Sequence, residues 1–139
     1  ETAAIGNLIA AQYMIQSLQD LGCTIALDDF GSGLSSFTYL KNLNIDYLKI
    51  DGSLVKDIAD NYISLAMIKA IKDIAEALQI RTIGEYVENE AIAEELARIG
   101  VDFAQGYFIG MPQPLASELD TILSGISEDR EPAATPLKG

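Results

Sequence analysis

Short apolar runs alternate with longer amphipathic ones along this chain. Ile5, Leu8, Ile15 and Leu18 recur at helical spacing, and Gly22 supplies a stop. "CTIALD" is a short apolar run and predicts a buried strand. "SSFTYLKNL" predicts a short helix and "IDYLKI" a second strand. Leu65, Ile68, Ile71, Ala75 and Leu78 trace one face of a longer helix. "IRTIGEYV" predicts a third strand. Ile92, Leu96 and Ile99 mark another helix, stopped by Gly100. "VDFAQGYF" predicts a fourth strand, "MPQPL" breaks the pattern, and "ASELDTILSG" predicts a last short helix. Buried strands alternating with helices require an α/β fold with about four parallel strands and right-handed connections. Residues 1–125 are expected to form the folded part, and the polar, Pro-containing residues 126–139 a flexible tail.

Composition narrows the function. With 139 residues and 49% apolar content, one compact domain with a real core is expected. The net charge of −12 comes with nine Lys and Arg scattered singly. That excludes DNA or RNA polymers held by counterion release, and contact with an anionic membrane surface. An acidic protein still takes an anionic ligand when metal ions lie between them. There is no His, so His-based triads and His metal sites are excluded. The one Cys, Cys23, reads as a small core residue, and a lone Cys fits a reducing compartment. A cytoplasmic location is expected, with any membrane anchoring left to other domains of a parent. "ISLAMIKAIKDIAEAL" carries Lys69, Lys72, Asp73 and Glu76 and is too charged to span a membrane. The chain enters a helical pattern without a Met, and a fragment is expected.

The strand ends carry the chemistry. The first predicted strand ends at Asp28 and Asp29, the second at Lys49 with Asp51 beyond, the third at Glu85 with Glu88 beyond, and the fourth at Gln105. In parallel α/β folds the site lies at the C-terminal ends of the strands. Neighbours in a strand point to opposite faces, so for Asp28 and Asp29 to share a site the strand is expected to end between them. Gly31 and Gly33 suit that departure. Two close carboxylates repel unless a cation neutralises them, and hard divalent cations such as Mg²⁺ or Mn²⁺ suit oxygen ligands. The bland alternative is that Asp29 caps the following turn. Lys49 is open to several roles: steadying an anionic phosphate or a water near metals, Schiff-base chemistry, or snorkelling from a strand end. Glu85 suits a metal shell or the orientation of water, and also pairing with Lys49.

"LDDFGSGLSS", "DYLKIDGSLV", "IGEYVEN" and "DFAQGYFIGMPQPL", in this order and spacing, resemble the EAL domain, the bacterial cyclic di-GMP phosphodiesterase. The resemblance runs from Glu1 to about Leu119. It implies the C-terminal part of a TIM-like (β/α)8 barrel whose two-metal site, with Mg²⁺ or Mn²⁺, hydrolyses cyclic di-GMP to linear pGpG. By the same resemblance, Asp28 bridges the metals and Asp29 is the neighbouring ligand of the second. Lys49 contacts the attacking water, and Glu85 lies near the second metal. Asp51 lies near the site, Gln105 near the reacting phosphate, and Glu1 helps to hold the "DDFG" loop. By the resemblance, the family's E-x-L signature, its Asn and the first Glu of "E-x-T-E" would lie upstream of Glu1; the "EAL" at 76–78 falls within the predicted longer helix and is not that signature. A full barrel takes ~250 residues. This chain alone is therefore expected to bind metal weakly and to hydrolyse poorly. Its open edges and apolar inner face are expected to draw it into a homo-oligomer or onto a missing N-terminal half. The alternative function is a non-hydrolysing cyclic di-GMP receptor or a protein-interaction module.

Overall fold

The computed structural model describes residues 2–32, 37–114 and 135–136. Glu1, Gly33, the helix predicted over "ASELDTILSG" and most of the tail lie outside the described residues. The elements run α1 (Thr2–Asp20), β1 (Ala26–Phe30), α2 (Phe37–Asn42), β2 (Tyr47–Ile50), α3 (Gly52–Val55), α4 (Tyr62–Ala77), β3 (Arg81–Gly84), α5 (Glu90–Ile99), β4 (Phe103–Ala104) and β5 (Thr135–Pro136).

Local signals set the boundaries. Gly22 after α1 and Gly100 after α5 adopt left-handed φ of 85° and 91°, which glycine reaches without a Cβ penalty. The side chains of Asn61 and Asn89 cap α4 and α5 by accepting from Ile63 and Ile92 N–H. Cys23 is exposed, contrary to its reading as a core residue, because it lies in the turn between α1 and β1.

The sheet order is β1-β2-β3-β4-β5. The first four strands pair parallel, each with the next in sequence. Sequential neighbours joined by helical crossovers are the barrel arrangement, whereas a doubly wound sheet reverses its order. The sheet has two unlike faces. Leu48, Ile50 and Ala104 face the main core with Val55, Ile68, Ile71 and Leu96 from the helices. Tyr47, Ile83 and Phe103 form a second buried cluster. By alternation it shares a face with Lys49 and Glu85. The Arg81 guanidinium lies 4.5 Å from the Tyr47 ring centroid and 5.7 Å from that of Phe103, so this inner face is less open than its apolar strands suggest. The free edge expected at β4 is also occupied, since Thr135–Pro136 pairs with it antiparallel.

One aspartate ties three elements together. Asp102 Oδ2 accepts from Thr82 N–H at 2.8 Å, from Thr82 Oγ1 at 2.7 Å and from Lys72 Nζ at 2.9 Å. Thr82 is fully buried, so these bonds satisfy groups that water cannot reach. Burial works against the charged Asp102, but the Thr82 bonds and Lys72 outweigh it and hold its pKa below the ordinary 3.8. This joint fixes α4 against β3 and the approach to β4, and with them the level at which the strands end.

Candidate active site at the strand ends

β1 reaches the site through an irregularity. Leu27 pairs with Leu48 and Phe30 with Ile50, so β1 spends three steps where β2 spends two. The extra residue is a bulge. Asp29 sits at φ 54°, in the left-handed region, and its N–H donates to Asp28 Oδ1 at 3.1 Å. The strand does not end between the two aspartates, as sequence alternation suggests; it continues to Phe30, and the bulge turns both carboxylates toward one place. Gly31, at φ 102°, then leaves the strand where a Cβ would meet Leu54 Cδ1 at 2.5 Å.

β2 brings Lys49 beside this pair and β3 brings Glu85. Lys49 Nζ lies 2.9 Å from Asp28 Oδ1 and 2.6 Å from Glu85 Oε1. The Glu85 side chain is 9% exposed and that of Lys49 19%, whereas that of Asp28 is 62% exposed. The ion pair therefore has a buried arm and a wet one. Partial burial works against the Lys49 ammonium, but its bonds to Glu85 and Asp28 outweigh that and raise its pKa above the ordinary lysine value. The hydrogen bond from Lys49 is the main cause that lowers the Asp28 pKa. A protonated, doubly paired ammonium is not the free amine that Schiff-base chemistry needs.

Asp28, Asp29 and Glu85 each offer a carboxylate oxygen within 4.8 Å of the others. Ionised, three carboxylates against one ammonium leave two negative charges, which a divalent cation balances. The donors are all hard oxygens, the chemistry Mg²⁺ and Mn²⁺ prefer.

Gln105 and Glu85 line a cavity of about 290 Å³ together with Tyr86, Glu88, Gly106 and Tyr107. Gln105 also stitches the strand ends through its backbone, donating to Gly84 O at 2.9 Å and accepting from Val87 N–H at 3.0 Å. Asp51 is used locally: its Oδ1 caps α3, accepting from Ser53 N–H at 2.9 Å and from the Ser53 hydroxyl. The Asp29 backbone carbonyl takes a turn bond from Ser32 N–H at 3.4 Å, while its carboxylate joins the acidic cluster. Sequence reasoning missed the Tyr86 wall of the cavity, whose signal was a bulky aromatic directly after a charged strand end.

Comparison with known proteins agrees with this geometry. The family model described as the EAL domain matches residues 1–112. Cyclic di-GMP phosphodiesterase PdeB of Shewanella oneidensis is 49% identical over 117 residues, 84% of this chain and 14% of that protein. Cyclic di-GMP phosphodiesterase PdeF of Escherichia coli is 45% identical over 122 residues, 88% of this chain and 16% of that protein. Among solved structures, the EAL domain of Mycobacterium smegmatis DcpA matches with a TM-score of 0.77 at 32% identity, covering 93% of this chain and 54% of that one. The PaMucR phosphodiesterase in complex with c-di-GMP matches at 0.72 and 35% identity, covering 78% of this chain and 44% of that one. The chain thus spans about half of a solved EAL domain and a small share of the curated relatives.

Proposed function

Because this chain belongs to the EAL domain family, we propose that it supplies the C-terminal half of a cyclic di-GMP phosphodiesterase site. The observation that carries the reading is the convergence of Asp28, Asp29 and Glu85 around Lys49 at the ends of parallel strands. Asp28, Asp29 and Glu85 would hold Mg²⁺ or Mn²⁺. When bound, such ions neutralise a phosphodiester and lower the pKa of water that attacks it. Lys49 adds a fixed positive charge beside the place where phosphoryl charge develops. Buried Glu85 holds that ammonium at 2.6 Å and keeps it aimed inward. Gln105 lines the same cavity as Glu85, and its side-chain amide is assigned to donate to a phosphate oxygen. Asp51, engaged in capping α3, is assigned a substrate-binding role beside the site, and Glu1 is assigned to steadying the loop after β1. The complementary half barrel is the partner this reading requires, with self-association as the substitute, and the cytoplasm is the compartment.

The test is conversion of cyclic di-GMP to pGpG, followed by chromatography, for this chain alone and for a chimera joining it to the first half of the DcpA EAL domain. The chain alone is expected to turn over poorly. A folded chimera is expected to be active with Mg²⁺ or Mn²⁺ and to lose activity with Glu85→Gln. Turnover by the isolated chain at a rate typical of an enzyme would overturn the half-site reading. A folded chimera that binds cyclic di-GMP without cleaving it would favour the receptor alternative.

A further inference from the structure

Glu85 does its work at a point where the backbone is under constraint. Tyr86, immediately after it, sits at φ 54°, a region a bulky side chain rarely enters. Such a conformation persists only when its surroundings enforce it. Two close approaches do so. On one side, the Tyr86 ring lies against Gly52, where a Cβ would come within 2.3 Å of its Cδ2 and 2.7 Å of its Cγ. Lys56, one helical turn after Gly52 and thus on the same face, places its Nζ 4.6 Å from the centre of that ring. On the other side, Gly106 lies so close to Val87 that a Cβ would come within 2.3 Å of the Val87 backbone N and O. Backbone bonds close the same seam: Val87 N–H donates to Gln105 O at 3.0 Å, and Phe108 N–H donates to Val87 O at 3.0 Å.

We propose that Tyr86 and Gly52 form a positioning pair: the aromatic ring, seated on a glycine at the start of α3, locks the left-handed exit of β3 and thereby aims Glu85 at Lys49. The ring is about half exposed, yet one face of it is fixed by α3. The glycine is required for its size. Gly52 has no left-handed φ, so alanine would otherwise suit a helical position better than glycine. The role rests on the site reading above only in what Glu85 is aimed for; the aiming itself is a property of this chain.

The pair makes a sign-reversal experiment possible. The first readout is the Lys49 side-chain ammonium resonance, which persists in NMR spectra when the ammonium is held in an ion pair. The second is Mn²⁺ affinity by electron paramagnetic resonance. Tyr86→Phe keeps the ring and is expected to keep the Lys49 signal. Tyr86→Ala and Gly52→Ala are each expected to weaken or lose it while the fold, followed by circular dichroism, persists. In the Tyr86→Gly background there is no ring to displace, so Gly52→Ala is expected to cause no further loss and to raise the thermal midpoint. The proposal is overturned if Gly52→Ala is equally harmful with and without the ring, or if Tyr86→Ala leaves the Lys49 signal intact. Should the wild-type chain bind no Mn²⁺ while the Lys49 signal follows the ring, the metal reading fails and the positioning pair stands.

Discussion

Replacing Lys49 with Met removes the ammonium and keeps most of its apolar stem. Glu85, 9% exposed at its side chain, then loses a partner at 2.6 Å, and Asp28 loses one at 2.9 Å. Two like charges 4.8 Å apart, the spacing limit of the cluster, repel by about 3.5 kcal/mol at an effective dielectric constant of 20. Breaking a buried pair by removing one partner costs roughly 3–5 kcal/mol. The Asp28 arm is mostly exposed and adds little. Together these place the loss near the lower end of that range, at about 3 kcal/mol. With a urea m-value of about 1–3 kcal/mol per molar, the unfolding midpoint should fall by about 1–3 M. The double variant Lys49→Met/Glu85→Gln should recover more than half of that fall, because the cost lies in the stranded carboxylate. Equilibrium urea unfolding at neutral pH, without divalent ions, measures both. An unchanged midpoint in Lys49→Met, or a double variant no more stable than the single, would refute the view that this ammonium is what allows Glu85 to be buried.

Two further outcomes follow from other parts of the fold. Asp102 has a depressed pKa, so its stabilisation is present above the ordinary value of 3.8 and is lost as pH falls through the folded value. Asp102→Asn should therefore lower stability at neutral pH and narrow its gap to wild type in acid, as read by urea midpoints from pH 7 to 3; a gap that stays constant contradicts the joint. Gly106→Ala forces a Cβ against the Val87 backbone and should cost about 2 kcal/mol or more, visible as a lower thermal midpoint, whereas an unchanged midpoint would mean the seam is loose.

Much of this fold was legible because buried strands and amphipathic helices leave unlike patterns. The four parallel strands and the helices ending at Gly22 and Gly100 lie within or beside the predicted runs, but β1 starts at Ala26 and is mostly exposed rather than buried, and β4 keeps only Phe103–Ala104 of its run. Lys49 and Glu85 were legible because a charged residue inside an apolar run must be paired. What the pattern hid was geometry with no periodic signature. An extra residue in β1 does not disturb composition, so the bulge that turns Asp28 and Asp29 together could not be read. α3 has four residues and begins with glycine, too short to show a period. The contact of Tyr86 with Gly52 joins residues from different strand ends, and only the fold makes them neighbours. β5 is two residues long and contains a proline, which is tolerated at a sheet edge but gives no strand signal.

The central claim is that Asp28, Asp29 and Glu85 form one divalent-cation site. Titration of the chain with Mn²⁺, followed by electron paramagnetic resonance and competed with Mg²⁺, tests it most directly. Weak binding is predicted, with affinity falling at least about tenfold in Asp28→Asn and in Glu85→Gln, since even groups that only orient a ligand cost that much when removed. The exposed Asp57→Asn should bind as wild type does. Equal Mn²⁺ binding by wild type, Asp28→Asn and Glu85→Gln would contradict the account.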